Sequence, residues 1–287
     1  MNLAQTTLQS KIKLDGIGLF SGKEVTVHLL PARANTGIQF IRTDLEEKPV
    51  ILASVDNIST TLLNCTVLKD RNTSVQTVEH LLSALYALGI DNLIIEINNL
   101  EVPIFDGSSK FFVDEILKVG IKTLDQEKKV YVINSPLYYE DNDVVLIALP
   151  SKTFRISYTW YNPRSKAFRS QYFSSDITQK IFIDELCFCR TFAFYEDISL
   201  LLKQNKVKGA SLEQGILIRE DRVVNELGLR CENELANHKV LDLIGDLSLL
   251  GWPLEGHIIA LRSGHKSNVT FAKKIKQQAE LRSLCPN

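Results

Sequence analysis

Between Leu235 and Gly251 the chain is apolar at most positions, and several of the polar exceptions fall in register. His238, Asp242 and Asp246 recur every four residues among Val240, Leu241, Leu243, Ile244, Leu247, Leu249 and Leu250. At about 3.6 residues per turn, positions i, i+4 and i+8 share one helical face and drift by only about 40° per step. The spacing predicts a buried helix carrying a polar seam. Burying one His and two carboxylates is costly unless they pair, neutralise or coordinate a cation. The seam therefore calls for a positive partner.

The same reading extends to both sides. Thr77 to Leu88 is a mostly apolar helix stopped by Gly89, and the run from Asn92 to Ile97 after it is rich in strand formers. Glu24–Leu30 and Gly37–Ile41 are predicted strands, and Phe111–Gly120 a helix with a glycine just past its end. A charged run, Leu124–Lys129, then separates residues 1–126 from 127–287, and the grammar repeats. Strands are predicted near Val130–Asn134, Val144–Ala148, Phe154–Trp160 and His257–Leu261. His80 precedes Gly89 by nine residues and His238 precedes Gly251 by thirteen, one helical turn more. The halves thus read as a weak duplication, although helix–Gly–strand units are common and one sequence leaves the matter open. Each half would be a sheet covered by helices, with the two helix layers buried between the sheets.

Composition narrows the class. With 287 residues, 45% hydrophobic, the chain can bury large cores and suits one or two domains. A formal net charge of −1 argues against nucleic-acid binding. The first ten residues show no basic segment followed by an apolar core, and no apolar run reaches the roughly 18 residues of a membrane span. The five cysteines (65, 187, 189, 231 and 285) are odd in number and lack CxxC spacing, so they read as reduced thiols of a cytoplasmic protein. Cys187 and Cys189, two apart, are placed on one side of a strand and assigned to core packing.

A second polar group opens the first helix. Thr77-Val78-Glu79-His80 could be an ordinary first turn, with Thr capping and Glu at the positive end of the helix dipole. His80, however, leads into an almost wholly apolar helix. Neighbours on a helix point about 100° apart, so one could ligate a metal while the other faces its water. His80, His238 and Asp242 would supply two nitrogens and one oxygen and leave a fourth position open, the pattern of catalytic zinc. Glu79 would then act as general base. Asp246, left without a metal role, could keep the imidazole of His265 protonated within Arg262–Asn268; a place as a further ligand stays open for it. In Cys189–Phe194 the hydroxyl of Thr191 sits among aromatics, as it also would in an ordinary strand.

Together these residues resemble a known family. Gly16-Ile-Gly-Leu, Thr77-Val-Glu-His, Val102-Pro-Ile-Phe-Asp-Gly, Arg190-Thr-Phe, His238-Lys-Val-Leu-Asp-Leu-Ile-Gly-Asp and Ser263-Gly-His are similar in order and spacing to the UDP-3-O-acyl-N-acetylglucosamine deacetylases, the zinc amidases of lipid A biosynthesis. The resemblance covers nearly the whole chain. It implies an α+β fold of two similar β-α-α-β domains packed through their helix layers, with Zn²⁺ at the junction, although Fe²⁺ suits the same donors. Each domain would carry a small insert, roughly Ile41–Thr73 and Phe194–Val224, the latter with a helix at Asp197–Val207 and a tunnel for the acyl chain. By position, His80, His238 and Asp242 match the zinc ligands and Glu79 the base. His265, oriented by Asp246, matches the cationic partner. Thr191 matches the residue that helps polarise the carbonyl, Lys239 a substrate-contacting lysine, and Phe192 and Tyr161 the aromatics near the nucleotide. The implied partner is the acylated UDP-sugar alone, turned over by a monomer.

The chain departs from the family pattern in four places. Phe20 replaces a usual His in Gly18-Leu-Phe-Ser-Gly22, and Asn237 stands where many members have Arg before His238. Trp160-Tyr-Asn-Pro163 is shorter than the family's segment near the uridine and lacks its acid, and Ala210-Ser211 replaces a frequent Gly-Ser. The expected activity is acetate removal from UDP-3-O-(3-hydroxyacyl)-N-acetylglucosamine. The rivals are the same amidase on another acylated or nucleotide sugar, and a zinc-bearing scaffold that has lost catalysis.

Overall fold

The computed structural model describes residues 4–59, 64–203 and 207–283. Its first half runs β1 (Ala4–Leu8), β2 (Ile12–Ile17), β3 (Glu24–Pro31), β4 (Ile38–Arg42), β5 (Val50–Leu52), β6 (Val67–Asp70), β7 (Thr73–Gln76), α1 (Glu79–Ala87), β8 (Leu93–Ile97), α2 (Lys110–Val119) and β9 (Ile121–Glu127). The second runs β10 (Lys129–Val132), β11 (Leu137–Asp141), β12 (Val144–Leu149), β13 (Phe154–Tyr161), β14 (Ser170–Asp176), α3 (Gln179–Ile181), β15 (Phe192–Phe194), α4 (Tyr195–Lys203), β16 (Ile216–Arg219), β17 (Arg222–Val223), α5 (Glu234–Ser248), β18 (Leu254–Leu261), α6 (His265–Gln278) and β19 (Glu280–Ser283).

Strand pairing makes the duplication explicit. The first sheet has the order β2-β3-β8-β4-β5, with β8 antiparallel to β3 and parallel to β4. In the second, β11, β12, β18, β13 and β14 are neighbours in that sequence, and β18 is antiparallel to β12 and parallel to β13. Each central strand follows the helix that bears the polar seam, α1 or α5. Each half also has a flanking antiparallel pair, β1 with β9 and β10 with β19; β1–β9 stands as a separate sheet, whereas β10 also runs parallel to β18. Central strands β8 and β18 bury alternate residues, as a sheet does when one face meets a helix layer. The repeat also sets an equivalence that the helix pattern alone did not show. Gly89 and Gly251, both at positive φ, end the two helices. Counting back nine residues from each reaches His80 and Asp242, not His80 and His238.

Helices α1 and α5 pack against each other at the centre of the molecule, and 13 of the 15 residues of α5 are buried. Gly245 permits the approach. A Cβ there would lie 2.2 Å from the carbonyl oxygen of Glu79, inside any allowed contact and against rigid backbone.

Several local expectations are corrected. The charged run has structure of its own: its first four residues lie on strand β9, separated from β10 only by Lys128. Lys128 is buried and paired with Asp91 at 2.8 Å, so part of the charge of that run is internal. Cys187 and Cys189 are not on a strand. Cys187 ends a π-helical turn, Phe182–Leu186, and Cys189 lies in the following loop, although both are buried. Of the first insert, β5 belongs to the main sheet, and the separate feature is the β6–β7 hairpin. The second insert begins at β15 and its helix at Tyr195; residues 204–206 and Cys285 lie outside the described residues. Thr77 is not a cap either. It sits at φ 59° and donates to Glu101 Oε1 at 3.2 Å, while Val78 occupies the cap position.

In the interior of an exposed helix, Gly→Ala stabilises by roughly 0.5–1 kcal/mol. Here Gly245→Ala is expected to do the reverse, because α5 must move away from α1. Thermal denaturation and metal analysis of the purified variant check this; a Tm at or above the parent's with unchanged metal content would contradict the close approach.

Candidate active site

Helix α1 contributes its first two residues, and α5 one face of its first three turns. His80 Nε2 and His238 Nε2 stand 3.5 and 3.4 Å from Asp242 Oδ1, and the three ligand atoms lie within 4.8 Å of one another. The two imidazoles meet edge to face with centroids 5.0 Å apart. All three residues are buried. His238 Nδ1 lies 3.1 Å from the carbonyl oxygen of Cys189 and donates to it, which fixes the tautomer and turns the Nε2 lone pair toward Asp242. Burial drives the pKa of His238 down to about 3, so its ring is neutral, the form that binds metals.

Asp242 shows what the cluster lacks. Its Oδ2 accepts from Lys239 Nζ, whereas its Oδ1 is a buried acceptor without a hydrogen-bond partner among the described residues. Burial opposes its ionisation, but the cations around it, Lys239 and His265, outweigh that and hold its carboxyl well below the usual range. An orphaned carboxylate oxygen facing the Nε2 atoms of His80 and His238 fits a divalent metal.

Beside this cluster lie an acid and a base. Glu79 Oε2 accepts the backbone N–H of Thr66 at 3.0 Å, and Oε1 lies 3.8 Å from His265 Nε2. Burial raises the Glu79 carboxyl above its ordinary pKa, against the pull of His265 and His80. His265 opens α6, where the helix dipole disfavours a cation, and burial disfavours it further. Asp246 Oδ2, 3.0 Å from Nδ1, prevails over both together with Asp242 and Glu79, and raises the imidazolium pKa to about 9. Asp246 itself is fully buried behind His265. Its Oδ1 accepts from Thr66 Oγ1, and its Oδ2 also accepts from Asn268 Nδ2 at 2.8 Å.

A cavity of about 850 Å³ opens over these groups. Glu79, His80, Tyr161, Thr191, Phe192, His238, Lys239, Asp242 and His265 all line it, so the structure brings together every site residue the sequence singled out except Asp246, which supports from behind. Thr191 is placed by backbone bonds from its N–H to Gly107 and from Ile216 N–H to its carbonyl, both 2.7 Å. The preceding Arg190 grips Glu234, the first residue of α5, at 2.9 Å and so ties the Thr191 segment to the helix of the ligands. Phe192 packs with Trp160 and Phe194 on one wall, and its ring lies 6.2 Å from that of His238. Phe20 also lines the cavity. Its backbone N–H and that of Ser21 donate to buried Glu101, which holds that turn through backbone groups alone.

Sequence reasoning missed Thr66, Asn268, Glu101 and the pairing of Arg190 with Glu234. The last had a partial signal in the Arg190-Thr-Phe motif. Thr66 had none, because it lies 180 residues from Asp246 in what read as an insert.

A profile of the family described as UDP-3-O-acyl N-acetylglycosamine deacetylase matches residues 5–277. The chain is 40% identical over 283 residues to the UDP-3-O-acyl-N-acetylglucosamine deacetylase of Chlamydia pneumoniae, covering 96% of this chain and 98% of that one. It is 38% identical over 280 residues to the protein of the same name from Geotalea uraniireducens (strain Rf4), covering 98% and 91%. The Syntrophus aciditrophicus (strain SB) protein, also so named, is 37% identical over 278 residues, covering 96% and 87%.

His80→Ala and His238→Ala are each expected to abolish stoichiometric metal binding while the far-ultraviolet circular dichroism stays native, since both apolar cores remain. Elemental analysis decides; one tightly bound metal in either variant would remove that residue from the ligand set.

Proposed function

The chain belongs to the UDP-3-O-acyl N-acetylglycosamine deacetylase family and is a hydrolase that removes acetate from UDP-3-O-acyl-N-acetylglucosamine in lipid A biosynthesis; from that premise we propose that His80, His238 and Asp242 hold a catalytic zinc ion, with Glu79 as general base and His265 as general acid. The observation that carries this is the orphaned Asp242 Oδ1 between two imidazole nitrogens, with a base and a cation on its open side. Zinc bound there supplies a Lewis acid that polarises a carbonyl and makes water acidic near neutral pH, and Fe²⁺ suits the same donors.

Each of the chain's own groups then has one task. Glu79 takes the proton of the water that attacks the acetamide carbonyl, and its raised pKa suits a group that must pass that proton on. His265 carries its proton on Nε2 toward the same space and delivers it to the departing amine. Thr191 donates to the developing oxyanion, and Lys239, salt-bridged to Asp242, keeps that ligand ionised while its own side chain borders the substrate. Toward the mouth, the Arg262 guanidinium lies 5.7 Å from the centre of the Tyr161 ring, a cation and an aromatic face suited to the nucleotide. Ala193, Phe194 and Ile198, from β15 and α4, add an apolar wall for the acyl chain.

The site is complete within one chain, which supports a monomeric catalyst. Among the described residues the four cysteines are free, and no helix is long and apolar enough to cross a membrane.

Glu79→Gln keeps the volume but removes the base. It is expected to retain metal and substrate binding while kcat falls by about 10²–10⁴; metal analysis with steady-state kinetics tests the assignment, and loss of metal in parallel with rate would make Glu79 a ligand. For pH, the reactive form needs Glu79 ionised and His265 protonated. The kcat/KM profile should therefore rise with pH and then fall as His265 deprotonates, with the basic limb well above the ordinary His value of about 6.5. Asp246→Ala removes the main charge that raises it, so the basic limb should shift to lower pH with metal content unchanged; an unmoved limb would refute the pairing. As for specificity, each buried CH₂ of the acyl chain contributes up to about 0.8 kcal/mol. UDP-N-acetylglucosamine without the chain should be a very poor substrate, and equal kcat/KM for the two sugars would reject the apolar wall.

A further inference from the structure

Thr66 stands in the last stretch before β6, nearly buried, and touches both the base and the acid of the site. Its backbone N–H donates to Glu79 Oε2 at 3.0 Å. Its hydroxyl donates to Asp246 Oδ1 and lies 3.1 Å from His265 Nδ1. The direction of these bonds follows from the inventory of donors. The Asp246 carboxylate can only accept, so the single hydroxyl proton goes to it, and toward His265 the Thr66 oxygen is the acceptor. The Nδ1–H of His265 is thus shared between Asp246 Oδ2 and Thr66 Oγ1, 3.0 and 3.1 Å away. That leaves Nε2 facing Glu79 Oε1 and Asp242 Oδ2, 3.8 Å from each.

We propose that Thr66 is a positioning residue for the deacetylation, its hydroxyl fixing the His265–Asp246 pair in register with the Glu79 carboxylate that its own backbone holds. The inference rests on the roles of Glu79 and His265 given above. Among the described residues Asp246 is otherwise steered on one oxygen only, since Asn268 Nδ2 and His265 both bond Oδ2. Without the hydroxyl its Oδ1 has no partner, the carboxylate can rotate, and the imidazole loses one of its two acceptors. The metal ligands have no bond to Thr66 among the described residues, so the effect falls on turnover and not on metal binding.

The test compares zinc-loaded wild type with Thr66→Val, which keeps shape and backbone N–H but removes the hydroxyl, and Thr66→Ser, which keeps the hydroxyl. Thr66→Val should lower kcat by about 10–100-fold, the range for removal of such a supporting partner, with KM for the acylated UDP-sugar and metal content unchanged. Thr66→Ser should return most of the rate. Adding Asp246→Asn to Thr66→Val should cost less than the product of the two single losses, because both act through one carboxylate. Thr66→Ala serves the same comparison should the Val variant not fold. The proposal is overturned if the variant lacking the hydroxyl turns over like wild type, if Ser and Val are equally impaired, if the losses multiply, or if rate falls only with lost metal. Glu79→Gln is assayed alongside. Full activity there sinks the catalytic reading itself, whereas an inactive Glu79→Gln beside an unimpaired Thr66→Val sinks only the role of Thr66.

Discussion

At Gly245 the backbone of α5 passes so close to α1 that a single methyl group would reach 2.2 Å from the Glu79 carbonyl oxygen. That contact fixes the distance between the residues the two helices carry. With any bulkier residue there, His80 would draw away from Asp242, and the three donors now within 4.8 Å would no longer converge on one point. The rest of the fold serves the same contact. Two sheets of matching topology press their helix layers together, and each ends its seam-bearing helix in a positive-φ glycine before the central strand. A duplicated unit brings one proposed ligand, His80 or Asp242, from equivalent places in each half. The third, His238, comes from the extra turn at the start of α5, and the Cys189 carbonyl sets its ring.

Bringing so many ionisable groups into one buried place requires a charge arrangement that leaves none stranded. Lys239 neutralises one oxygen of Asp242, and Asp246 holds a proton on His265 despite both burial and a helix N-terminus. Burial raises the Glu79 carboxyl above its ordinary pKa, against the pull of His265 close by. What remains uncompensated among the described residues is Asp242 Oδ1, and it faces the imidazoles of His80 and His238. The electrostatic gap and the metal-binding geometry therefore coincide at one atom. The same arrangement separates the roles of four acids and bases lying side by side, since each has a different environment.

How much of this could be read from the chain depends on how local each constraint is. The seam of α5 was legible because the four-residue spacing of His238, Asp242 and Asp246 is a property of a single helix. Glu79 and His80 were legible for the same reason, and so were most strands. The equivalence of His80 with Asp242 was not, because it needs the strand order that pairs β8 with β18. The structure of the charged run at 124–129 was not legible, because four of its six residues lie on strand β9 and Lys128 finds Asp91 far back in the chain. Cys187 and Cys189 suggested alternation, but one ends a π-helical turn and the other lies in the loop after it. Thr66 carried no pattern of its own; only the tertiary fold sets it between Glu79, Asp246 and His265. The family resemblance supplied roles for Thr191, Lys239, Phe192 and Tyr161 that no spacing rule could, and the cavity lined by all four is where those roles would be exercised.

The central claim is that the cluster of His80, His238 and Asp242 holds the metal on which hydrolysis of the acetamide depends. Titrating metal-stripped protein with zinc while following acetate release from UDP-3-O-acyl-N-acetylglucosamine tests it most directly. The account predicts no acetate from the stripped protein and a linear rise in rate that saturates at one zinc per chain. Acetate release at full rate without metal, or a rise that saturates only at two or more zinc ions per chain, would contradict it.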